Sequence, residues 1–417
     1  MEAMLETLSK LVSIKSVSEK GGNDAPFGEK VKEALKCALE ICDSLGFKTK
    51  NCDNKCGYAE IGEGETLIGI LVHLDIVPAG DGWETDPYKL TEIDDKIFGR
   101  GVIDDKGPAV AAIYAMNEIK ESGIELHSRI RIIFGCSEET GDWADIDYYK
   151  ATEELPTMGF TPDADFPVVY GEMGIANVEL KMKKSESGIQ SISGGIATNM
   201  VADKVECILS GDKAGDAITE VGKSAHGSMP WLGTNAISKL MLKIDCPLSR
   251  EYNKYLGMTY DGKLLGCNFV DTQSGKLTVN PGMIYNTEED IIIALDIRCP
   301  VTYSKDQLMN AINSRISNSL FGAELKMWEA PVYNDKDGIL VTTLMEAYEQ
   351  ITGRDDKATT MGGGTYARAM DNIVAFGPDF PNRECTEHQP NEYIFKDDLI
   401  MTREIYTLAL KKLVNMS

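Results

Sequence analysis

Histidine is scarce in this sequence, with only four among 417 residues, at positions 73, 127, 226 and 388. Basic residues are short as well: 42 Lys and Arg against 66 Asp and Glu leave a net charge of −24, which repels phosphate backbones at long range. Nucleic acid and anionic membrane surfaces are therefore not expected partners, whereas a small substrate stays open. No stretch approaches the ~20 consecutive apolar residues of a membrane span. The opening Met1-Glu-Ala-Met-Leu-Glu-Thr-Leu lacks the basic start and continuous apolar core of a secretory signal, so a cytoplasmic location is expected. Ten cysteines are scattered along a long chain, which suits a reducing compartment better than a disulfide framework. The one close pair, Cys52 and Cys56, has no second pair to complete a structural zinc site. Internal repeats and low-complexity linkers are also missing.

What is present begins with length, because 417 residues exceed what one hydrophobic core sustains and two domains are expected. Residues 26–45 carry apolar side chains at Val31, Ala34, Leu35, Ala38, Leu39 and Cys42, the spacing of a helix buried on one side, with Gly46 placed to end it. Residues 67–74 and 130–135 are short β-branched runs that read as buried strands, and 108–119 between them reads as a helix. This order predicts an α/β catalytic domain, a mostly parallel sheet with helices on both faces and ligand groups at the carboxyl ends of its strands. From about Met173 the pattern changes: 176–182, 205–209 and 290–298 read as strands and 235–244 as a helix, an inserted α+β domain. Helical patterns return at 338–351 and 396–414. The expected division is 1–174 with 330–417 for the catalytic domain and 175–329 for the insertion.

His73 and Asp75 stand two residues apart at a predicted strand end, and Asp104 follows in Gly-Arg-Gly-Val-Ile-Asp104-Asp105-Lys-Gly. A catalytic divalent ion needs several imidazoles or carboxylates converging on it, and two such ions commonly share a bridging carboxylate. The candidate ligands are His73, Asp104, Glu139, Asp163 and His388, each of which, alone, has an ordinary explanation as a solvated carboxylate or a structural histidine. The Glu138-Glu139 pair after the 130–135 run says more. Adjacent carboxylates at a buried strand end repel unless a cation or a proton separates them, and one can bind metal while the other accepts a proton from water. These residues point to a metal-assisted hydrolase.

Together, His73-Leu-Asp75, the Asp104-Asp105 motif, Ser-Glu138-Glu139, Pro-Asp163-Ala-Asp and the late His388 resemble the dinuclear-zinc metallopeptidase family of aminoacylase, acetylornithine deacetylase and carboxypeptidase G. The dipeptidase V and carnosinase-like branch is nearest, through Asp-Gly-Trp83-Glu-Thr-Asp-Pro, Gly-Phe-Thr-Pro-Asp163-Ala-Asp-Phe-Pro and Gly362-Gly-Gly-Thr-Tyr-Ala-Arg368. The resemblance implies two divalent metal ions per chain, zinc first, with Mn2+ or Co2+ as alternatives. His73 and Asp163 would hold one ion and Glu139 and His388 the other, with Asp104 bridging and Asp75 orienting His73. Glu138 would be the general base that deprotonates the bridging water and passes the proton to the leaving amine. A cis peptide between Asp104 and Asp105 is implied too. In the insertion, Gly222-Lys-Ser-Ala-His226-Gly-Ser-Met-Pro resembles the family's lid motif, whose histidine stabilises the oxyanion. Asn199 and Arg298 match lid positions that contact substrate, Arg298 as a bidentate carboxylate clamp, and Gly364, Thr365 and Arg368 would line the same pocket. His127 matches no motif and reads as structural.

The implied activity is a metal-dependent dipeptidase acting on short peptides with a free C-terminal carboxylate. An N-acyl-amino-acid deacylase or related amidohydrolase would use the same metals with a different pocket, and an inactive metal-binding relative is the non-enzyme alternative. The presence of Glu138 and all five ligands argues against the latter. Only 26 residues separate Asn199 from His226, fewer than in the extended lid that lets dipeptidase V act as a monomer. Monomer and homodimer both stay open, with His226 supplied by its own or a partner subunit.

Overall fold

Every side chain of the strand Leu67–His73 is buried in the computed structural model, which describes residues 1–211 and 215–416. Successive strand side chains point to opposite faces, so the sheet is covered on both sides there. Arg129–Gly135 and Met158–Thr161 run parallel to this strand on either side, and Ile373–Ala375 extends the parallel core. Outside these four strands the pairing turns antiparallel. Cys56–Ile61 joins Arg129–Gly135, Lys48–Cys52 joins Cys56–Ile61, and Val169 pairs with Ala375. The parallel character expected from the sequence is thus confined to the centre of a mixed α/β sheet.

A parallel pair needs a crossover connection, and the helix Lys106–Glu121 lies in the one between Leu67–His73 and Arg129–Gly135. It packs on the C-terminal helix Lys396–Val414, which packs in turn on Ile339–Thr352. One apolar core joins strand residues Ile68, Ile70 and Val72 to Val110, Ile113, Leu344, Ile405 and Leu410. Each such fully buried side chain contributes about 1.5–3 kcal/mol relative to exposure. The helix expected over 26–45 forms as Glu29–Ser44 and buries the same six residues that the sequence pattern selects. It starts later because Gly28 has φ +99°, outside helical space, and it ends before Gly46 at φ +74°.

This first unit comprises Met1–Tyr170, Asn334–Thr359 and Gly364–Ser417; the second comprises Gly171–Tyr333 and Thr360–Gly363. The boundaries differ from the expected 174/175 and 329/330, and a four-residue segment far along the chain joins the second unit. Backbone pairing explains both differences. Glu172 and Gly171 pair antiparallel with Val332 and Tyr333, and the Met173 amide donates to the carbonyl of Met361 at 2.9 Å.

The second unit is built on a seven-stranded antiparallel sheet in the order Ile218–Val221, Lys204–Leu209, Ile189–Gly194, Thr278–Asn286, Asp290–Cys299, Gly174–Lys183 and Gly322–Glu329. Its core includes Ile237, Leu240 and Met241 of the helix Ala236–Lys243 and Leu308 and Ile312 of the helix Lys305–Ile316. Ile291, Ile293, Leu295, Ile297 and Cys299 point into that core, so by alternation Asp296 and Arg298 point to the opposite face. No helix among the described residues is long and apolar enough to cross a membrane. All ten cysteines are free thiols.

Candidate metal centre

His73 ends the central parallel strand, and its orientation is set on three sides. Its amide donates to Asp105 Oδ2 at 3.1 Å, Nδ1 lies 3.0 Å from the Asp75 carbonyl oxygen, and Nε2 lies 2.9 Å from Asp104 Oδ1. The Asp75 carboxylate stands 3.5 Å from Nδ1 and also accepts the amides of Glu138 at 3.2 Å and Glu139 at 3.1 Å. Asp75 therefore ties the histidine to the turn bearing the two glutamates, a link broader than the orienting role expected from sequence. The peptide between Asp104 and Asp105 is cis.

Asp104 divides its two oxygens between two histidines. Oδ1 faces His73 Nε2, which also lies 3.9 Å from Asp163 Oδ2. Oδ2 faces His388 Nε2 at 2.9 Å, and that nitrogen lies 3.2 Å from Glu139 Oε2. Ligand atoms of His73, Glu138 and Asp163 lie within 4.8 Å of one another, as do those of His73, Asp104 and Glu139. His388 adopts φ +61°, a left-handed conformation uncommon outside glycine.

The electrostatics follow from this crowding. Burial, with the carboxylates of Asp163 and Glu139 nearby, pushes the Glu138 carboxyl well above its usual range. Burial and Asp104 do the same to Asp163, and burial and Asp104 also raise Glu139. Burial disfavours a charged His73, yet its hydrogen bonds to Asp104 and Asp75 outweigh that and hold its pKa well above normal. Hydrogen bonds to Asp104 and Glu139 lift His388 to about 11. Burial opposes the ionised Asp104, but its bonds to His388 and His73 prevail and depress it. The set suits divalent cations. It is made of imidazole nitrogens and carboxylate oxygens, it concentrates negative charge in a partly dry site, and Glu139 Oε1 is buried without a hydrogen-bond partner among the described residues.

Supporting groups surround these residues, and sequence reading assigns none of them a role. Glu392 accepts the amides of Gly101 at 2.9 Å and Ile103 at 3.1 Å, which fixes the loop ahead of Asp104, and it is paired with buried Arg100 at 2.6 Å. The ring of Trp83 lies over that guanidinium at 5.3 Å. Asp145 accepts the amides of Cys136 and Ser137, just before the glutamate pair, and the hydroxyl of Tyr366. Lys106, wholly buried, donates from Nζ to the carbonyls of Leu11 and Ile14 at 2.9 Å each, and burial lowers its pKa to about 7. Among 66 acidic residues nothing in the sequence marks Glu392 or Asp145, whereas Trp83, Arg100, Lys106 and Tyr366 fall inside motifs of the site.

The remaining expected residues divide between the units. Gly364, Thr365 and Arg368 belong to the first: a Cβ on Gly364 would meet Arg368 Nε at 2.8 Å, and Thr365 Oγ1 accepts the Ala367 amide at 3.1 Å. Asn199, His226 and Arg298 belong to the second, where Met200 and His226 form an isolated antiparallel bridge and the Gly227 amide donates to the Asn199 carbonyl at 2.6 Å. Arg298 differs from the expected clamp. Its Nε and Nη2 fork onto Asp296 at 2.7 and 2.8 Å, and Nη1 donates to the Gly362 carbonyl at 2.6 Å. His127 lies outside both ligand groups, in the segment before the Arg129–Gly135 strand.

Residues 69–412 match the description of Peptidase family M20/M25/M40. The chain belongs to this family. As an M20 member it is a metallopeptidase. It is similar to Putative dipeptidase SSP1012 of Staphylococcus saprophyticus, at 34% identity over 454 aligned positions covering 98% of this chain and 97% of the relative. Those positions outnumber the 417 residues here, so the relative carries segments that this chain lacks. The fold is shared with human carnosine dipeptidase 1 at a TM-score of 0.65 and 15% identity, covering 99% and 96% of the two chains. It is also shared with the Bacillus subtilis YXEP protein, a dinuclear metal binding peptidase, at a TM-score of 0.54 and 13% identity, covering 99% of each chain.

Proposed function

We propose that this M20 metallopeptidase is a dipeptidase that hydrolyses the peptide bond of short peptides bearing a free C-terminal carboxylate. The observation that carries the reading is Asp104, with one carboxylate oxygen on His73 and the other on His388, each histidine nitrogen also facing a further carboxylate. The dipeptidase names of its relative and of a structural neighbour support the substrate class. His73 and Asp163 would hold one divalent cation, Glu139 and His388 a second, and Asp104 both. Zinc is the ion we assign. When bound, such ions polarise the scissile carbonyl and make the attacking water more acidic.

Glu138 accepts the proton of that water and returns it to the departing amine, so the general base becomes the general acid of the second half-reaction. Burial and the neighbouring carboxylates raise its carboxyl pKa, the direction that favours a glutamate holding a proton between the two half-reactions. Asp75 fixes the glutamate backbone through two amide hydrogen bonds, which keeps the base in register with His73. His226, supplied by its own or a partner subunit, is assigned as the donor to the developing oxyanion. Asn199 of the second unit and Gly364, Thr365 and Arg368 of the first are assigned to substrate binding, whereas Arg298, whose guanidinium is taken up by Asp296 and the Gly362 carbonyl, holds the Thr360–Gly363 segment instead of clamping a carboxylate.

The deciding experiment pairs Glu138→Ala with a substrate panel. The variant is expected to lose hydrolysis while keeping about two metal ions per chain, and full turnover would eliminate Glu138 as the base. On the wild-type enzyme, unblocked dipeptides should be cleaved faster than N-acetyl amino acids; the reverse order would make it a deacylase.

A further inference from the structure

The imidazole of His226 is held by the residue two positions on. Ser228 Oγ lies 2.6 Å from Nδ1, and the Ser228 amide nitrogen lies 3.2 Å from the same atom. A backbone N–H can only donate, so Nδ1 must offer its lone pair. The hydroxyl, free to rotate, donates to that lone pair as well. A neutral ring with an accepting Nδ1 carries its hydrogen on Nε2.

Ser228 is itself backed within the second unit. A Cβ on Gly362 would stand 3.0 Å from Ser228 Cβ, a tight approach that would push the serine by a few tenths of an ångström. That segment is pinned by Arg298 Nη1 on the Gly362 carbonyl, and Arg298 is pinned by the Asp296 fork. Hydrogen bonds thus link Asp296, Arg298 and Gly362, and Gly362 lies beside the Ser228 that holds His226.

We infer that Ser228 is a positioning residue that fixes His226 as its Nε2–H tautomer, so that the ring meets the oxyanion as a neutral hydrogen-bond donor. The inference rests on reading His226 as the oxyanion donor. It assigns a task to a serine hydroxyl and an amide that the metal centre leaves unused, and it sets Gly362 where a larger residue would press on that serine.

The test uses the full-length, metal-loaded enzyme labelled with 15N-histidine, with the His226 signals assigned from a His226→Asn variant. Two-bond proton–nitrogen correlation spectra should show an unprotonated Nδ1 and a protonated Nε2 at neutral pH. Ser228→Ala, which keeps the amide donor but loses the hydroxyl, should raise the share of the Nδ1–H tautomer and lower kcat about three- to ten-fold with KM nearly unchanged, as expected for loss of one hydrogen bond that acts in the transition state. Ser228→Thr should restore both readouts, and Gly362→Ala, which displaces residue 228, should reproduce the Ser228→Ala spectrum. A wild-type His226 protonated on Nδ1, or a Ser228→Ala variant with unchanged tautomer and kcat, would overturn the inference and leave the oxyanion reading intact. Full turnover in His226→Asn would instead overturn the oxyanion reading, whatever the tautomer.

Discussion

Tyr366 donates its phenolic hydrogen to Asp145 at 2.6 Å, and the same carboxylate oxygen accepts the amides of Cys136 and Ser137. The pair lies beneath the turn carrying Glu138 and Glu139, so the position of the base depends on a tyrosine more than two hundred residues further along the chain. Burial raises the Asp145 carboxyl, and the Tyr366 hydroxyl and Cys136 amide work against that rise. Tyr366→Phe removes one donor from a buried acceptor, and we expect a stability loss of about 1–3 kcal/mol with metal content unchanged. Thermal melts and metal analysis of the variant check this. An unaltered melting temperature would show the hydrogen bond to be unimportant.

Because Asp104 turns one oxygen to each histidine, its loss and the loss of either end ligand should have different stoichiometries. Asp104→Asn is expected to reduce metal content to less than one ion per chain, while His388→Ala should retain about one. Atomic absorption after gel filtration reads both values directly. Two ions retained in Asp104→Asn would rule out a bridging carboxylate.

Metal affinity should depend on pH in a definite sense. Without metal, His388 keeps its proton up to about 11, because Asp104 and Glu139 favour the charged ring. A cation must displace that proton, so apparent affinity rises as the pH rises and binding releases protons. The same shift, from an ordinary value of 6.5, means that this group stabilises the metal-free fold below about 6.5 and that the benefit fades as the pH climbs toward 11. Calorimetric titration of metal into chelator-treated protein, in buffers of different ionisation enthalpy at pH 6 and 8, measures the protons released. Equal affinities with no proton release would contradict the assignment of His388 as a ligand.

Arg100 and Glu392 form a buried pair whose acid also carries the Gly101 and Ile103 amides. Glu392→Ala leaves a buried guanidinium and two amides without their acceptor, and should cost about 3–5 kcal/mol. Urea unfolding of the metal-free chain gives the stability change, and metal titration shows whether the Asp104 loop still assembles. A cost below 1 kcal/mol would mean that water replaces the carboxylate without penalty.

Much of the scaffold was legible in the chain itself, and for simple reasons. The six apolar positions of 31–42 predict one buried helix face, and the same six are buried in Glu29–Ser44. The β-branched run at 67–74 predicts a fully buried strand, and seven buried residues form it. Periodicity reports burial because an element must present its apolar side chains to a core. It does not report strand direction, so the antiparallel flanks of the first sheet were missed. Nor does it report which unit a short segment joins, because Thr360–Gly363 is placed by hydrogen bonds to partners distant in the chain.

For the site, the sequence by itself determined the chemical cast: few histidines, a pair of adjacent glutamates, and ordered motifs that resemble one metallopeptidase family. The tertiary structure decided how that cast is arranged. It directs the two oxygens of Asp104 to different histidines, links Asp75 to the backbone of Glu138 and Glu139, and turns Arg298 toward Asp296 and Gly362. The physical reason is that a hydrogen bond depends on atoms meeting within about 3 Å at a workable angle. Sheet register and loop closure bring those atoms together, and neither is encoded in the spacing of residues along the chain.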